Sequence, residues 1–157
     1  MTDKAKNLEG KYLTFALGEE EYGIDALKVQ GIMGMQTITP IPNAPHYFLG
    51  VVNVRNVVSP VISARLKLGM YEVENTPLTC LILVNLDGVS AGMVVDEVRD
   101  VVDITVDQIE EPPAIGAYGQ SEVVGLAKVG DKIKIILDIN ALMAEVVQYG
   151  KPDSAPE

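Results

Sequence analysis

Short apolar runs separated by glycine, proline and charged residues fill most of the chain, and their period is that of strands. Lys11 to Leu17 (K-Y-L-T-F-A-L) alternates apolar and polar positions as a half-buried strand does, and the polar turn Gly18 to Glu21 leads to a second strand over Tyr22 to Ala26. The pair predicts a hairpin. Leu78 to Leu86 (L-T-C-L-I-L-V-N-L) is too short and too β-favouring for a helix; Asp87-Gly88 is a strong turn signal, and Val89 to Val95 completes another hairpin. Lys132 to Leu137 (K-I-K-I-I-L), preceded by the turn Gly130-Asp131, alternates before becoming continuously apolar, as a strand entering a core does. Helical spacing emerges only at the end, where Asp138 or Asn140 can cap a segment with Leu142, Met143, Val146 and Val147 on one face. An all-β chain with a short C-terminal helix is expected.

Two internal overlays refine this picture. Gly50 to Leu66 laid over Gly125 to Ala141 matches Gly50 with Gly125, Val54 with Val129, Val58 with Ile133 and Ile62 with Leu137, and sets Arg55-Asn56 on the turn Gly130-Asp131. A second overlay sets Gly23, Ile24, Val29 and Ile32 on Gly92, Met93, Val98 and Val101. The chain reads as a single domain over 11–150 made of two related β-rich halves, roughly 11–76 and 77–148, with strands open to exchange between them. Halves this small have marginal cores alone, so an apolar seam between them is expected, and such a seam is a natural binding groove. Residues 1–10 are expected to be a flexible N-terminal segment, and 151–157, with two prolines and no large apolar residue, a loose tail.

Composition narrows the function. The 157 residues are 48% hydrophobic and 22% charged, enough for a core without staples. A formal net charge of −10 opposes the counterion release that drives nucleic-acid binding and disfavours anionic membranes. The single cysteine, Cys80, lies in an apolar run and can make no internal disulfide; with no signal-like opening and no apolar run long enough to span a bilayer, a cytoplasmic protein is expected. His46 is the only histidine, no zinc-ligand spacing or phosphate-binding loop is present, and no cofactor or metal is expected. Adjacent carboxylates such as Asp96-Glu97 and Glu110-Glu111 point to opposite faces of a strand and read as solvated charge. An enzyme is therefore not expected; the competing reading, a small acidic β-barrel enzyme with an unrecognised carboxylate site, would require paired perturbed acids in a cleft.

The most specific stretch is Ile38 to Met70, I-T-P-I-P-N-A-P-H-Y-F-L-G-V-V-N-V-R-N-V-V-S-P-V-I-S-A-R-L-K-L-G-M. It resembles the signature of the CheW family, the coupling proteins of bacterial chemotaxis arrays, in which a Pro-x-x-Pro loop leads into G-[VI]-x-N-L-R-G and a strand ending P-V-[IV]-D-L-R. F-A-L-G-E-E-E-Y-G-I-D-A-L-K-V-Q-G-I resembles the family's first hairpin and V-x-E-I element, Val89 to Val101 its G-x-x-V-D-x-V segment, and Gly125 to Leu142 its closing block. The four blocks run in order from Lys11 to Val146.

The resemblance implies two packed SH3-like five-stranded β-barrel subdomains and a non-catalytic adaptor. Its implied partners are the regulatory domain of the histidine kinase CheA and the cytoplasmic hairpin tip of methyl-accepting chemoreceptors, with recruitment to membrane-associated arrays through protein contacts alone. Carried over by position, the receptor-groove candidates are Val29, Gly31, Gly50, Arg55, Asn56, Thr79, Cys80 and Gly92, and Pro113 and Ile115 are a possible kinase contact. Arg55 also stands out without the family, because it interrupts an apolar run at a turn and offers five donors on a long apolar stem. Three positions depart from the family pattern: Gly31 replaces Glu, Asn56 replaces Gly, and Ser63 replaces Asp. Asn56 tolerates a left-handed turn. Gly31 removes a carboxylate, leaving Arg55 to solvent or to a partner's acid, and Ser63 removes another negative charge. An adaptor of a pilus or surface-sensing array, and a kinase-binding decoy that engages receptors poorly, remain alternatives.

Overall fold

The computed structural model describes residues 7–112 and 122–150; the expectations for the tail 151–157, for residues 1–6, and for Pro113 and Ile115 lie outside the described residues. Strands β1 (Gly10–Leu17) and β2 (Glu20–Asp25) form the first hairpin, with Leu17 paired to Glu20. Its loop is the pair Gly18-Glu19, tighter than the turn expected, and Gly18 supplies the positive φ of 63° that a tight turn demands. A 3-10 turn at Ala26–Lys28 leads into β3 (Val29–Gly34). Strands β4 (Phe48–Val54) and β5 (Val57–Ser63) turn at Arg55-Asn56, whose φ values of 52° and 66° suit a type I′ turn. Strands β6 (Cys80–Leu86) and β7 (Val89–Val95) turn at Asp87-Gly88, where Asn85 Oδ1 accepts from the Gly88 N–H at 2.9 Å. After β8 (Glu97–Ile104) and the short β9 (Ile109–Glu110), β10 (Val123–Val129) and β11 (Lys132–Leu137) close the series.

The strands make two mixed sheets, ordered β8-β1-β2-β11-β10-β9 and β3-β6-β7-β5-β4. The pairs β1–β2, β9–β10, β10–β11, β3–β6, β6–β7 and β4–β5 are antiparallel, while β2 runs parallel to β11 and β7 parallel to β5. The sheets share a topology whose registers follow both sequence overlays. Gly23 pairs with Ile136 in one and Gly92 with Val61 in the other, and the register shifts fall at Gly125 in β10 and at Gly50 in β4. Even β9, which sets Glu110 against Leu126 as a sixth strand, has a counterpart in the isolated bridge between Thr39 and Val51. The chain is all-β, with two SH3-like units.

Among the described residues, one unit takes 7–27 and those from Val98 to Leu142; the other takes Lys28 to Glu97 and 143–150. β3 thus follows β2 in sequence yet lies in the second unit's sheet, and β8 follows β7 yet lies beside β1 in the first. The sequence division near residue 76 falls within the second unit. Tyr12, Ile104, Ala127 and Ile136 are the buried cluster of the first unit, and Val52, Val61, Leu81 and Leu83 that of the second. Leu81 to Val84 are all buried, so β6 is covered on both faces and reads as a continuous apolar run.

Helix is scarcer than its spacing suggested at one end and present where none was expected. Helix α1 (Ala64–Lys67) follows β5 directly, capped by Ser63, whose Oγ accepts the Leu66 N–H at 3.1 Å. The C-terminal helix α2 (Ile139–Met143) has only 5 residues before the chain passes through a turn into a 3-10 turn at Val147–Gly150. Asp138 rather than Asn140 caps it, accepting the N–H groups of Asn140 at 3.0 Å and Ala141 at 3.3 Å. Leu142, Met143 and Val146 are buried, as the spacing required, while Val147 is half-buried.

Tyr12 gives this core a pH signature. Its Oη donates to the Leu8 carbonyl at 2.6 Å, and burial, with smaller contributions from the charges of Asp25 and Asp138, pushes its pKa from 10.0 up to about 12. The folded state therefore favours the neutral phenol: its contribution is whole below pH 10.0 and is lost as pH rises towards 12. In an alkaline titration followed by phenolate absorbance, Tyr12→Phe should remove a late step near pH 12. An unchanged profile in Tyr12→Phe would assign the late step elsewhere.

Candidate functional site

A groove of about 160 Å3 opens in the second unit, where β3 supplies Gly31 and Met33, the β4–β5 turn supplies Arg55, β5 supplies Val57 and Ser59, and Leu83 and Ser90 come from β6 and β7. Arg55 holds the left-handed φ of 52°, a conformation costing an ordinary L-residue roughly 1 kcal/mol. At the equivalent turn of the first unit Gly130 takes φ 66° without that cost. Arg55 is exposed and makes no hydrogen bond or ion pair among the described residues. Gly31 faces open space, since a Cβ built on it would meet nothing within 4 Å. Ser59 is only 1% exposed, and its Oγ has no hydrogen-bond partner. At the rim Ser90 Oγ donates to Gln30 Oε1 at 3.3 Å.

Of the positions carried over from the family resemblance, the groove gathers Gly31 and Arg55, with Asn56 beside them in the turn. Val29 opens β3 opposite Val84 and is half-buried. Gly50 lies against the backbone of Thr39 and Pro40, a structural position. Thr79 Oγ1 accepts the Thr76 N–H at 2.8 Å and closes the turn before β6. Cys80 stands at the start of β6 opposite Gly34 and Val95. Gly92 is a core contact: a Cβ there would be 2.9 Å from Leu81 Cδ1 and 3.2 Å from Val61 Cγ2.

Two positions read for the charge they carry or lack, Asp96 and Ser63, gain a partner in the fold. Asp96 is not solvated charge; it accepts Arg65 Nε at 2.9 Å and Nη2 at 2.6 Å, with the two side chains 27% and 14% exposed. The fork geometry is that of a bidentate guanidinium pair. Ser63, the position where a negative charge is missing, donates to Glu72 Oε1 at 2.7 Å, so the loop after α1 brings a carboxylate back to it. His46 packs edge-on against Tyr47, whose Oη donates to Glu145 Oε2 at 2.6 Å and whose ring lies 4.3 Å below Lys67 Nζ.

Sequence reasoning missed Ser59, Ser90 and Met33. A count in steps of two back from Val61 along β5 reaches Ser59 and Val57, which is the signal that could have found the groove face. It also missed a pair of exposed apolar positions repeated in both units. Ile32 and Val58 in the second unit are 48% and 58% exposed, and their counterparts Val101 and Ile133 in the first are 59% and 53%. Ile32 and Val101 lie on the edge strands β3 and β8, where exposed backbone and apolar side chains favour contact with another protein. Among the described residues no group of three or more His, Cys, Asp or Glu could hold a metal ion, and no helix is long and apolar enough to cross a membrane.

Two SH3-like units, an open groove with more apolar than charged lining, and apolar positions exposed on edge strands define a protein-binding scaffold module. The chain belongs to the CheW-like domain family, whose sequence profile matches residues 11–147. It is similar to the chemotaxis protein CheW of Klebsiella aerogenes, with 38% identity over 135 residues covering 85% of this chain and 81% of that protein. The chemotaxis protein CheW of Bacillus subtilis is 33% identical over 158 residues, covering 99% of this chain and 100% of its own length. Among solved structures, the scaffolding protein TtCheW from Thermoanaerobacter tengcongensis superposes with a TM-score of 0.79 at 32% identity, covering 87% of this chain and 93% of that one. The family consists of non-catalytic scaffolding adaptors, and this chain is an adaptor rather than an enzyme.

Proposed function

We propose that this chain is a cytoplasmic coupling adaptor that links the hairpin tip of chemoreceptors to the regulatory domain of the histidine kinase CheA, drawn to membrane-associated arrays by these contacts. The observation that carries the reading is the groove around Arg55. A receptor tip is a helical hairpin, and a helix is gripped by an apolar groove with few orienting polar groups. Met33, Val57 and Leu83 supply the apolar lining, and Arg55 the orienting charge. An arginine kept in a left-handed turn where the sister unit uses glycine is strain retained for a purpose outside the fold. The exposed pairs Ile32 with Val58 and Val101 with Ile133 are the described surfaces that suit the kinase domain.

Titration calorimetry of the full chain against the CheA regulatory domain of the same organism, followed by addition of a receptor-tip hairpin to the same cell, tests this. Two binding events are expected. Kinase binding without hairpin binding would select the decoy instead. Absence of both would overturn the adaptor assignment for these partners.

A further inference from the structure

We propose that Met33 is a reversible oxidation site, whose sulfoxide turns the groove of the second unit from an apolar surface into a polar one and weakens its hold on the receptor-tip helix. The loss of binding rests on the coupling reading. The reactivity of Met33 rests on the groove itself.

The described methionines fall into two sets. Met93 and Met143 are 0% exposed and closed to an oxidant while the chain is folded. Met33, Met35 and Met70 are half-buried, and of these three it is Met33 that lines the groove. Gly31, the preceding residue on its face of β3, has no side chain, and a Cβ built there would meet nothing within 4 Å. The flank of Met33 therefore stands open to a small solute.

The fold does not ask for a thioether here. By the second sequence overlay the counterpart of Met33 in the first unit is Val102, and each packs against the buried cluster of its own unit. Valine is the better strand residue and carries nothing to oxidise. The surroundings differ as well. In the first unit the positions equivalent to Ser59 and Ser90 are Lys134 and Glu21, an ion pair with side chains 12% and 11% exposed, and Arg99 reaches Glu21 at 3.3 Å. One more polar oxygen among those charges would change little. In the second unit Val54, Val57 and Leu83 share the lining with Met33, so a single polar atom changes the character of the surface.

The oxidant is a peroxide. A sulfur lone pair of Met33 attacks one peroxide oxygen, the O–O bond breaks as the S–O bond forms, and the departing hydroxide takes the remaining proton and leaves as water. A thiol-dependent reductase reverses the step: two thiols are oxidised to a disulfide and the sulfoxide oxygen leaves as water. The groove, of about 160 Å3, admits the added oxygen, so the fold survives the change. The close-packed sites of Met93 and Met143 have no such room.

The test treats the full chain with hydrogen peroxide, maps the sulfoxides by peptide mass spectrometry, and follows with calorimetry against a receptor-tip hairpin of the same organism, each chain compared with itself before and after treatment. Met33 should oxidise about tenfold or more faster than Met93 and Met143, with the thermal midpoint kept. The native chain should lose about tenfold in hairpin affinity and recover it with methionine sulfoxide reductase and dithiothreitol. The double variant Met35→Leu, Met70→Leu should show the same loss, and Met33→Leu less than about twofold. Met33→Gln, polar and of similar length, should bind the hairpin about tenfold more weakly than Met33→Leu without any peroxide. Oxidation of Met33 as slow as that of Met93, or an undiminished loss in Met33→Leu, overturns this inference and leaves the coupling reading standing. A native chain that binds the kinase domain but no hairpin before treatment overturns both the coupling reading and the proposed release.

Discussion

Gly50→Ala is expected to destabilise the second unit by about 3 kcal/mol or more, the largest effect of any small substitution in the chain. A Cβ on Gly50 would stand 2.1 Å from the Thr39 carbonyl oxygen, 2.7 Å from its carbon and 2.9 Å from Pro40 Cα. These are backbone atoms, so no rotamer change can relieve the overlap. The approach is fixed by two hydrogen bonds at 2.9 Å, Thr39 N–H to Val51 O and Val51 N–H to Thr39 O, and Gly50 itself takes φ +143°, which an L-residue rarely adopts. Gly125→Ala is the control within the same molecule: its added Cβ would meet Leu8 Cδ1 at 3.0 Å, a movable side-chain end, and should cost about 1 kcal/mol. Urea denaturation of both variants decides the matter. If Gly50→Ala costs no more than Gly125→Ala, the Thr39 segment yields, and its pairing with β4 contributes little.

The second large effect is expected at Arg65 and Asp96. Replacing either residue by alanine should cost about 2–3 kcal/mol, and a double-mutant cycle should return a coupling of about 2 kcal/mol. That value lies well above the small fraction of a kcal/mol usual for an exposed pair. The reason is geometry and burial together. Two guanidinium nitrogens meet two carboxylate oxygens at 2.9 and 2.6 Å, and Nη1 also donates to the Tyr71 carbonyl at 3.2 Å. The pair ties α1 to the end of β7 and to the loop that returns Glu72 to Ser63. Removing one partner takes the two-point fork from the other in a half-dry site, whereas Arg65→Lys keeps the charge but loses the fork, at about 1 kcal/mol. A coupling near zero in the cycle would reduce the pair to a solvated contact, and Asp96 would revert to ordinary surface charge.

Much of the site was legible only in part. Arg55 is visible as a lone cation in an apolar run, and Gly31 as a gap in a family motif; neither fact shows that they line one groove. Ser59 carries no sequence mark beyond its place in V-V-S-P-V-I-S, because an orphaned hydroxyl is a property of neighbours and not of the residue. Asp96 and Arg65 are far apart in the chain, and an adjacent Glu97 made Asp96 look like one half of an exposed acidic pair. The family resemblance carries Gly50 and Gly92 over as receptor-groove candidates; in the fold one is required by a backbone approach and the other by side-chain packing on β6 and β5.

What the sequence by itself determined is the local order of the chain: the period-two runs, the hairpin turns at Arg55-Asn56, Asp87-Gly88 and Gly130-Asp131, and the duplication whose two overlays reappear as matching registers. These follow from interactions between residues a few positions apart, where side-chain alternation and left-handed turn residues leave few choices. Tertiary structure alone decided which strand lies beside which. It placed β3 next to β6 and β8 next to β1, and it left in the second unit an open groove where the first has an ion pair. Pairings between distant segments are selected by the whole core and not by any short stretch, so the open groove, on which the proposed binding depends, appears only when the chain is folded.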